Sequence, residues 1–390
     1  MECEKREDNN HDKSDMVMGS TAVVDSNGNR SSSSCSISIN CNNQLFESDS
    51  VPLSDEVQQK QQKQKQQKHA TLHPPIILVS TCEEMNPSRR CTFEDCAVYA
   101  PAGSWNVPDP NMAFLAVCDG HGGRQMVEYL EDGLIFHVAA ELNATDEHES
   151  SSSSNNNRQF QDNDTNRILR RLEQAFLMAD IHSKTLGIAT SGATVAVCLI
   201  TRSSTNTTTT TATLTATSGS PSSDQEPTND STTDTNTTAA PQDSWTIYAA
   251  NAGDARIVLG HAGTAYRMTK DHRTDDPDEV RRIEQSGGFL FKGRVLGVLA
   301  VTRSLGDHCM KEYVIAMPYT KAKTIVKDAM SDVSFVILAC DGLWDVMSDQ
   351  EAVDFVSKYQ NSKESVAQEL VKEALERGST DNITVSVAWI

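Results

Sequence analysis

Ala113-Phe114-Leu115-Ala116-Val117-Cys118-Asp119-Gly120-His121-Gly122-Gly123 is an apolar run of strand length that breaks directly into an acid, a flexible turn and a histidine. A second run, Phe335-Val336-Ile337-Leu338-Ala339-Cys340-Asp341-Gly342-Leu343-Trp344-Asp345, has the same design. Gly378-Ser379-Thr380-Asp381-Asn382 sets another acid before the apolar run Ile383 to Ala388, and Glu94-Asp95 precedes Cys96 to Tyr99. A lone Asp-Gly reads equally well as a turn. Four recurrences shift the reading, because carboxylates gathered at the ends of core strands are strongly unfavourable unless cations offset their charge.

Outward from these corners, strand and helix signals alternate. Further strands are expected at Ile76 to Val79, Thr194 to Ile200, Thr246 to Ala249 and Arg256 to Leu259. Helices are expected over Gln125 to Leu142, with Val127, Leu130, Leu134 and Val138 on one face, and over Arg167 to Lys184. Three more fall at Asp278 to Gln285, Gln350 to Lys358 and Glu364 to Arg377, the last stopped by Gly378. Helices thus cluster in pairs between strand groups, which favours layered packing over a solenoid.

The 390 residues would suit two or three domains, but only 37% are hydrophobic and 5% aromatic. Three polar tracts account for this: residues 1–75, with Ser31 to Ser34 and a Gln/Lys stretch to Lys68; residues 143–166; and residues 203–243, rich in Thr, Ser and Asn. The first reads as a disordered tail and the others as low-complexity insertions, all solvated spacers. Setting them aside leaves about 250 residues, the size of one domain. With 34 Lys+Arg against 54 Asp+Glu the net charge is −20, which argues against nucleic acid and membrane surfaces as partners. The start, MECEKREDNN, has neither an apolar signal core nor a glycine at position 2, and the ten cysteines form no CxxC pair. The expectation is a monomer of the cytoplasm, the nucleus or both, with reduced cysteines.

Oxygen ligands without a Cys or His cluster select hard ions, Mg²⁺ or Mn²⁺ before zinc or copper. Two such ions bridged by one carboxylate, about 3.5–4 Å apart, would lower the pKa of a water and aim hydroxide at an electrophile. Arg90, four residues before Glu94, offers a fork that matches phosphate, and His121 could protonate a departing alkoxide. Two further corners say less. Ala250-Asn251-Ala252-Gly253-Asp254-Ala255-Arg256 looks like a tight hairpin and is read as mainly structural; Asp307, after Gly306, either orients ligands or caps a turn.

Together these segments resemble the metal-dependent protein phosphatases of type 2C (the PPM type). The resemblance runs from about Ile76 to Ile390 and rests on Arg90-x-x-x-Glu94-Asp95, Asp119-Gly120-His121-Gly122-Gly123, Ser191-Gly192-Ala193-Thr194, Asn251 to Arg256, Gly297 to Asp307, Asp341 to Asp345 and Asp381-Asn382-Ile383-Thr384. It implies an α+β fold, a four-layer αββα sandwich of two antiparallel sheets flanked by helix pairs. It implies hydrolysis of phosphoserine and phosphothreonine in phosphoprotein substrates by a two-metal site, without a phosphoenzyme. Asp119 would then bridge two ions; Gly120, through its carbonyl, and Glu94 would serve one, Asp341 and Asp381 the other, and Asp95 would act through bound waters. Arg90 would bind the substrate phosphate and His121 would be the general acid.

Ala189 stands where many relatives carry an acid proposed for a third metal, and Ala193 and Ala255 replace serines usual in the family. The segment Gly287 to Arg294 is shorter than in the plant hormone-receptor branch and lacks its tryptophan, so no hormone receptor is expected as partner. A catalytically dead scaffold would have lost metal acids, and a two-metal nuclease would need a basic groove; neither condition is met.

Overall fold

The residues of the strand Ala113–His121 divide by parity, and that division builds the layers. Phe114, Ala116 and Cys118 face one way into a cluster with helical residues, whereas Ala113, Leu115 and Val117 face the other way into a cluster made almost wholly of strands. The structure, a computed structural model, describes residues 77–145, 164–204, 243–326 and 333–390. The tail read at 1–75 lies outside the described residues, as do the interiors of the two insertions; the described elements run up to their edges.

One sheet contains β1 (Leu78–Glu84), β6 (Arg256–His261), β7 (Thr264–Arg267), β12 (Ser334–Ala339) and β13 (Ile383–Trp389), in the order β1-β13-β12-β6-β7. The other contains β2 (Asp95–Ala100), β3 (Ala113–His121), β4 (Gly192–Ser204), β5 (Asp243–Ala252) and β11 (Tyr319–Val326), in the order β11-β5-β4-β3-β2, with the two-residue β10 (Leu305–Gly306) on β4. All pairings in both sheets are antiparallel. Ala113, Leu115, Ala196, Ile247, Ile257 and Val336 are among the side chains that meet between the sheets.

Helices α1 (Gln125–Asn143) and α2 (Asp164–Thr185) cover the second sheet through Leu130, Leu134, Leu172 and Phe176. Helices α5 (Asp349–Val356) and α6 (Val366–Glu376) cover the first, where Val353 and Leu370 pack with Phe335 and Ile337. The four layers expected from the resemblance are therefore present. Because both faces of each sheet are covered, β3 and β12 read as near-continuous apolar runs, not as alternating ones. A smaller lobe holds α3 (Pro277–Gln285) and the hairpin β8 (Leu290–Phe291) with β9 (Arg294–Val295). The short helix α4 (Asp341–Trp344) follows β12. Among the described residues, no helix is long and apolar enough to cross a membrane, and the seven cysteines are free.

One corner departs from its expected form. The segment Asn251 to Arg256 is not a hairpin: β5 pairs with β4 and β11, whereas β6 pairs with β12 and β7, so Gly253-Asp254-Ala255 carries the chain from one sheet to the other. Gly253 has φ +105°, and a Cβ there would collide with Thr194. Glycine is required by close packing between strands, not by a two-residue turn.

Candidate active site

Strand pairing brings the first two acids together. Asp95, at the start of β2, is the direct partner of Asp119 near the end of β3. Gly120 follows, and its N–H donates to the Glu94 carbonyl (3.0 Å); a Cβ at Gly120 would strike that carbonyl oxygen and Val127. Only glycine lets the two chains approach so closely here.

Asp341 opens α4 directly after β12, and Asp381 sits just before β13. A Cβ on Gly342 would run into the Asn382 carbonyl, so the backbones beside these acids are in contact. The loop carrying Arg90 and Glu94 is tied to the same end by two asparagines. Asn382 Nδ2 donates to the Met85 (2.8 Å) and Thr92 (3.0 Å) carbonyls, and its Oδ1 accepts from Glu94 N (3.0 Å). Asn86, left-handed at φ 55°, donates to the Ser379 (2.8 Å) and Asp381 (3.1 Å) carbonyls.

The acids converge, and the set includes one that motif reading had treated as structural. Carboxylate oxygens of Asp119, Asp254 and Asp341 lie within 4.8 Å of one another. Asp254, only 5% exposed, reaches this point because the inter-sheet corner turns inward. Its place after a motif glycine is the available signal, masked by the resemblance of Asn-x-Gly-Asp to turn chemistry. Arg273 spans the cluster's edge, donating to Asp254 (Nε, 2.8 Å) and Asp345 (2.8 Å). Glu94 stands aside from the three, its Oε2 accepting from Gly123 N at 3.4 Å.

Burial and mutual repulsion raise these carboxyls. Asp119 is pushed well above the usual range by burial, then by Asp95 and Asp341. Asp341 rises to about 8 through burial, Asp254 and Asp345, against the pull of Arg273. Asp95 rises to about 7, chiefly by burial. Asp254 is raised by burial and held back by Arg273. Asp95 Oδ2 accepts from the Thr384 hydroxyl (2.8 Å), but its Oδ1 is buried without a partner. An orphaned carboxylate oxygen among raised all-oxygen donors fits a hard divalent cation.

Of the other expected residues, Arg90 is 47% exposed and is paired with Asp381. His121 is 27% exposed, and its Nε2 lies 2.7 Å from Asp307 Oδ2. Glu94, Asp95, Asp119, Gly120, His121, Asp341 and Asp381 thus occupy one end of the sandwich, with Arg90 at its rim.

Comparison with known proteins agrees with this fold. Residues 205–383 match the family Protein phosphatase 2C. The chain is 33% identical over 312 residues to Protein phosphatase 2C homolog 1 of Saccharomyces cerevisiae, covering 80% of this chain and 93% of that protein. It is 52% identical over 141 residues to Protein phosphatase 2C homolog 1 of Schizosaccharomyces pombe, covering 36% of this chain and 40% of that protein. A crystal structure of serine-threonine phosphatase 2C from Toxoplasma gondii shares the fold, with TM-score 0.56 and 18% identity over 80% of this chain and 94% of that one. The chain belongs to the protein phosphatase 2C family, a metal-dependent family, and is a protein serine/threonine phosphatase acting on phosphoproteins.

Proposed function

We propose that this enzyme hydrolyses phosphoserine and phosphothreonine by direct attack of water on phosphorus, with no phosphoenzyme, using two Mg²⁺ or Mn²⁺ ions. The observation that carries the proposal is the convergence of Asp119, Asp254 and Asp341 around one point, beside the unpartnered Asp95 oxygen. When bound, the ions would act as Lewis acids and supply a nucleophile from water at neutral pH. Asp119, the Gly120 carbonyl, Glu94, Asp341 and Asp381 would hold them, with Asp95 acting through bound waters.

The chain's own groups account for the rest. A cluster of carboxylates repels a phosphate dianion, so a substrate needs a cationic handle at the rim. Arg90 supplies one: its exposed guanidinium leaves Asp381 at small cost, because an ion pair in water is worth little, and it binds two phosphate oxygens as a fork. His121 donates a proton to the leaving serine or threonine oxygen. Gly122 and Gly123, both at positive φ, keep side chains out of the approach.

The catalytic domain is read as residues 76–390 and the working unit as one chain. We read the compartment as cytoplasm or nucleus, because the ten cysteines form no CxxC pair and many sit in apolar runs. The excess of acids, 54 against 34 Lys+Arg, disfavours nucleic acid and anionic membranes as partners.

The test is hydrolysis of p-nitrophenyl phosphate and a phosphothreonine peptide with Mn²⁺ or Mg²⁺, then with chelator. Activity is expected only with metal, and one turnover in ¹⁸O-water should place a single ¹⁸O in the phosphate. Activity that survives chelation would overturn the reading.

A further inference from the structure

The His121–Asp307 contact is built from both sides. Asp307 is 5% exposed and lies next to β10, which pairs with Ala193 and Gly192 of β4. Its carboxylate Oδ2 accepts from His121 Nε2–H at 2.7 Å and from the Ser304 hydroxyl. Nδ1 of His121 has no hydrogen-bond partner among the described residues. A carboxylate on one ring nitrogen fixes the tautomer and the ring plane, and directs the other nitrogen outward.

The backbone is committed to this placement. Asp307 is left-handed at φ 48°, directly after Gly306 at φ 79°. A non-glycine residue in that region costs free energy and persists only where its surroundings over-determine it. Here Asp307 N donates to the Ser191 carbonyl (3.1 Å), and Gly306 N donates to Asp180 Oδ1 (2.8 Å) on α2. Lys311 grips the same turn, donating to the Ser304 carbonyl (2.9 Å) and pairing with Asp180 (3.0 Å). Across the strand, a Cβ on Gly192 would collide with both Asp307 Oδ2 and His121 Nε2. The space between these two side chains therefore exists only because residue 192 is glycine.

We infer that Asp307 is the positioning residue of the reaction: it holds His121 by Nε2 so that Nδ1 delivers the proton to the leaving oxygen. As the phosphorus–oxygen bond to serine or threonine breaks, its electron pair stays on the departing oxygen, which takes the Nδ1 proton of the His121 imidazolium, and His121 is left neutral with its remaining hydrogen on Nε2 towards Asp307. Asp307 touches neither substrate nor metal in this role and acts only through His121. The inference rests on the general-acid reading of His121 given above.

The test separates the two. An alkoxide leaving group needs the proton, whereas p-nitrophenolate departs without it, so turnover is compared on a phosphothreonine peptide and on p-nitrophenyl phosphate. Asn and Gly both suit a left-handed residue, which makes Asp307→Asn and Asp307→Gly the variants least prone to unfold; thermal midpoints check this. Expected for each is a loss of about 10–100-fold on the peptide and less than about 3-fold on the aryl ester. Placed on a His121→Ala background, Asp307→Asn should cost nothing further on either substrate, since groups acting as one unit are not additive. Equal losses on both substrates, or losses that persist on the His121→Ala background, would show a structural role and overturn the inference. If His121→Ala itself lost activity equally on both substrates, the general-acid reading would fall first and the role of Asp307 with it.

Discussion

At the residue scale, the carboxylates differ in what their removal should do. Asp341 and Asp381 lie on touching backbones, and each would contribute an anionic ligand. Asp341→Asn and Asp381→Asn should each lower kcat by more than about 100-fold, because the amide keeps the shape and loses the charge; far-UV circular dichroism should match the parent. Full activity in either variant would show that the ligand set is wrong. Asp254 makes a subtler case. It shares its charge with Arg273, so Asp254→Asn should leave a working enzyme that needs about 10-fold more Mn²⁺ for half-maximal rate. A metal titration reads this directly, and an unchanged midpoint would return Asp254 to a purely structural role. Asp119 and Asp341 were legible as acids that end apolar runs. Asp254 was not, because a two-residue turn and an inter-sheet corner demand the same residue types, and only the strand partners distinguish them.

At the element scale, the corner that delivers Asp254 is secured by His272, and this gives a pH dependence. His272 is fully buried; its backbone N–H donates to the Gly253 carbonyl (3.0 Å), and its Nδ1 accepts from Gly253 N (3.2 Å). Burial, aided by Arg303, lowers its pKa from 6.5 to about 4. A histidine kept neutral by the fold adds stability that is full above the unfolded value and is lost as pH falls from 6.5 towards 4. The swing is on the order of 3 kcal/mol. Denaturant titrations at pH 7, 5.5 and 4 should show this decline, and His272→Asn, which keeps an acceptor for Gly253 without a titrating group, should flatten it. An identical slope in both proteins would assign acid sensitivity elsewhere. The elements were less evenly legible than the acids. Strands β3 and β12 stand out as long apolar runs, whereas β11 does not: Tyr319-Thr320-Lys321-Ala322-Lys323-Thr324-Ile325-Val326 is an edge strand, and its lysines blunt the edge while erasing the apolar signal. Strand β7, four residues long and also at an edge, is too short and too exposed to carry an apolar signal. The helix pairs are legible to within three residues at each end, because each has one sheet to cover and so one apolar stripe.

At the scale of the whole molecule, the two sheets close over a core that needs no metal, while one end of that core gathers like charges. The fold is therefore opposed locally by its own site, and cation binding should relieve the opposition. Ligand that binds only the folded state stabilises by RT ln(1 + [L]/Kd), about 2.7 kcal/mol at 100 times Kd, which for a domain of this size is on the order of 5–10 °C in Tm. Saturating Mn²⁺ should raise the midpoint of the chelator-treated protein by about that much. The same argument makes an opposite claim for Asp341→Asn. The amide replaces a carboxyl that burial and its neighbours already push up to about 8, and it leaves no cation stranded, because Arg273 keeps Asp254 and Asp345. In chelator this variant should unfold at or above the parent's midpoint, and Mn²⁺ should then raise it by less than half as much as it raises the parent. A scanning calorimetry series of the two proteins with and without Mn²⁺ checks both halves. If the metal-free variant melted several degrees below the parent, Asp341 would be a packing residue, and the tension between site and fold would not exist.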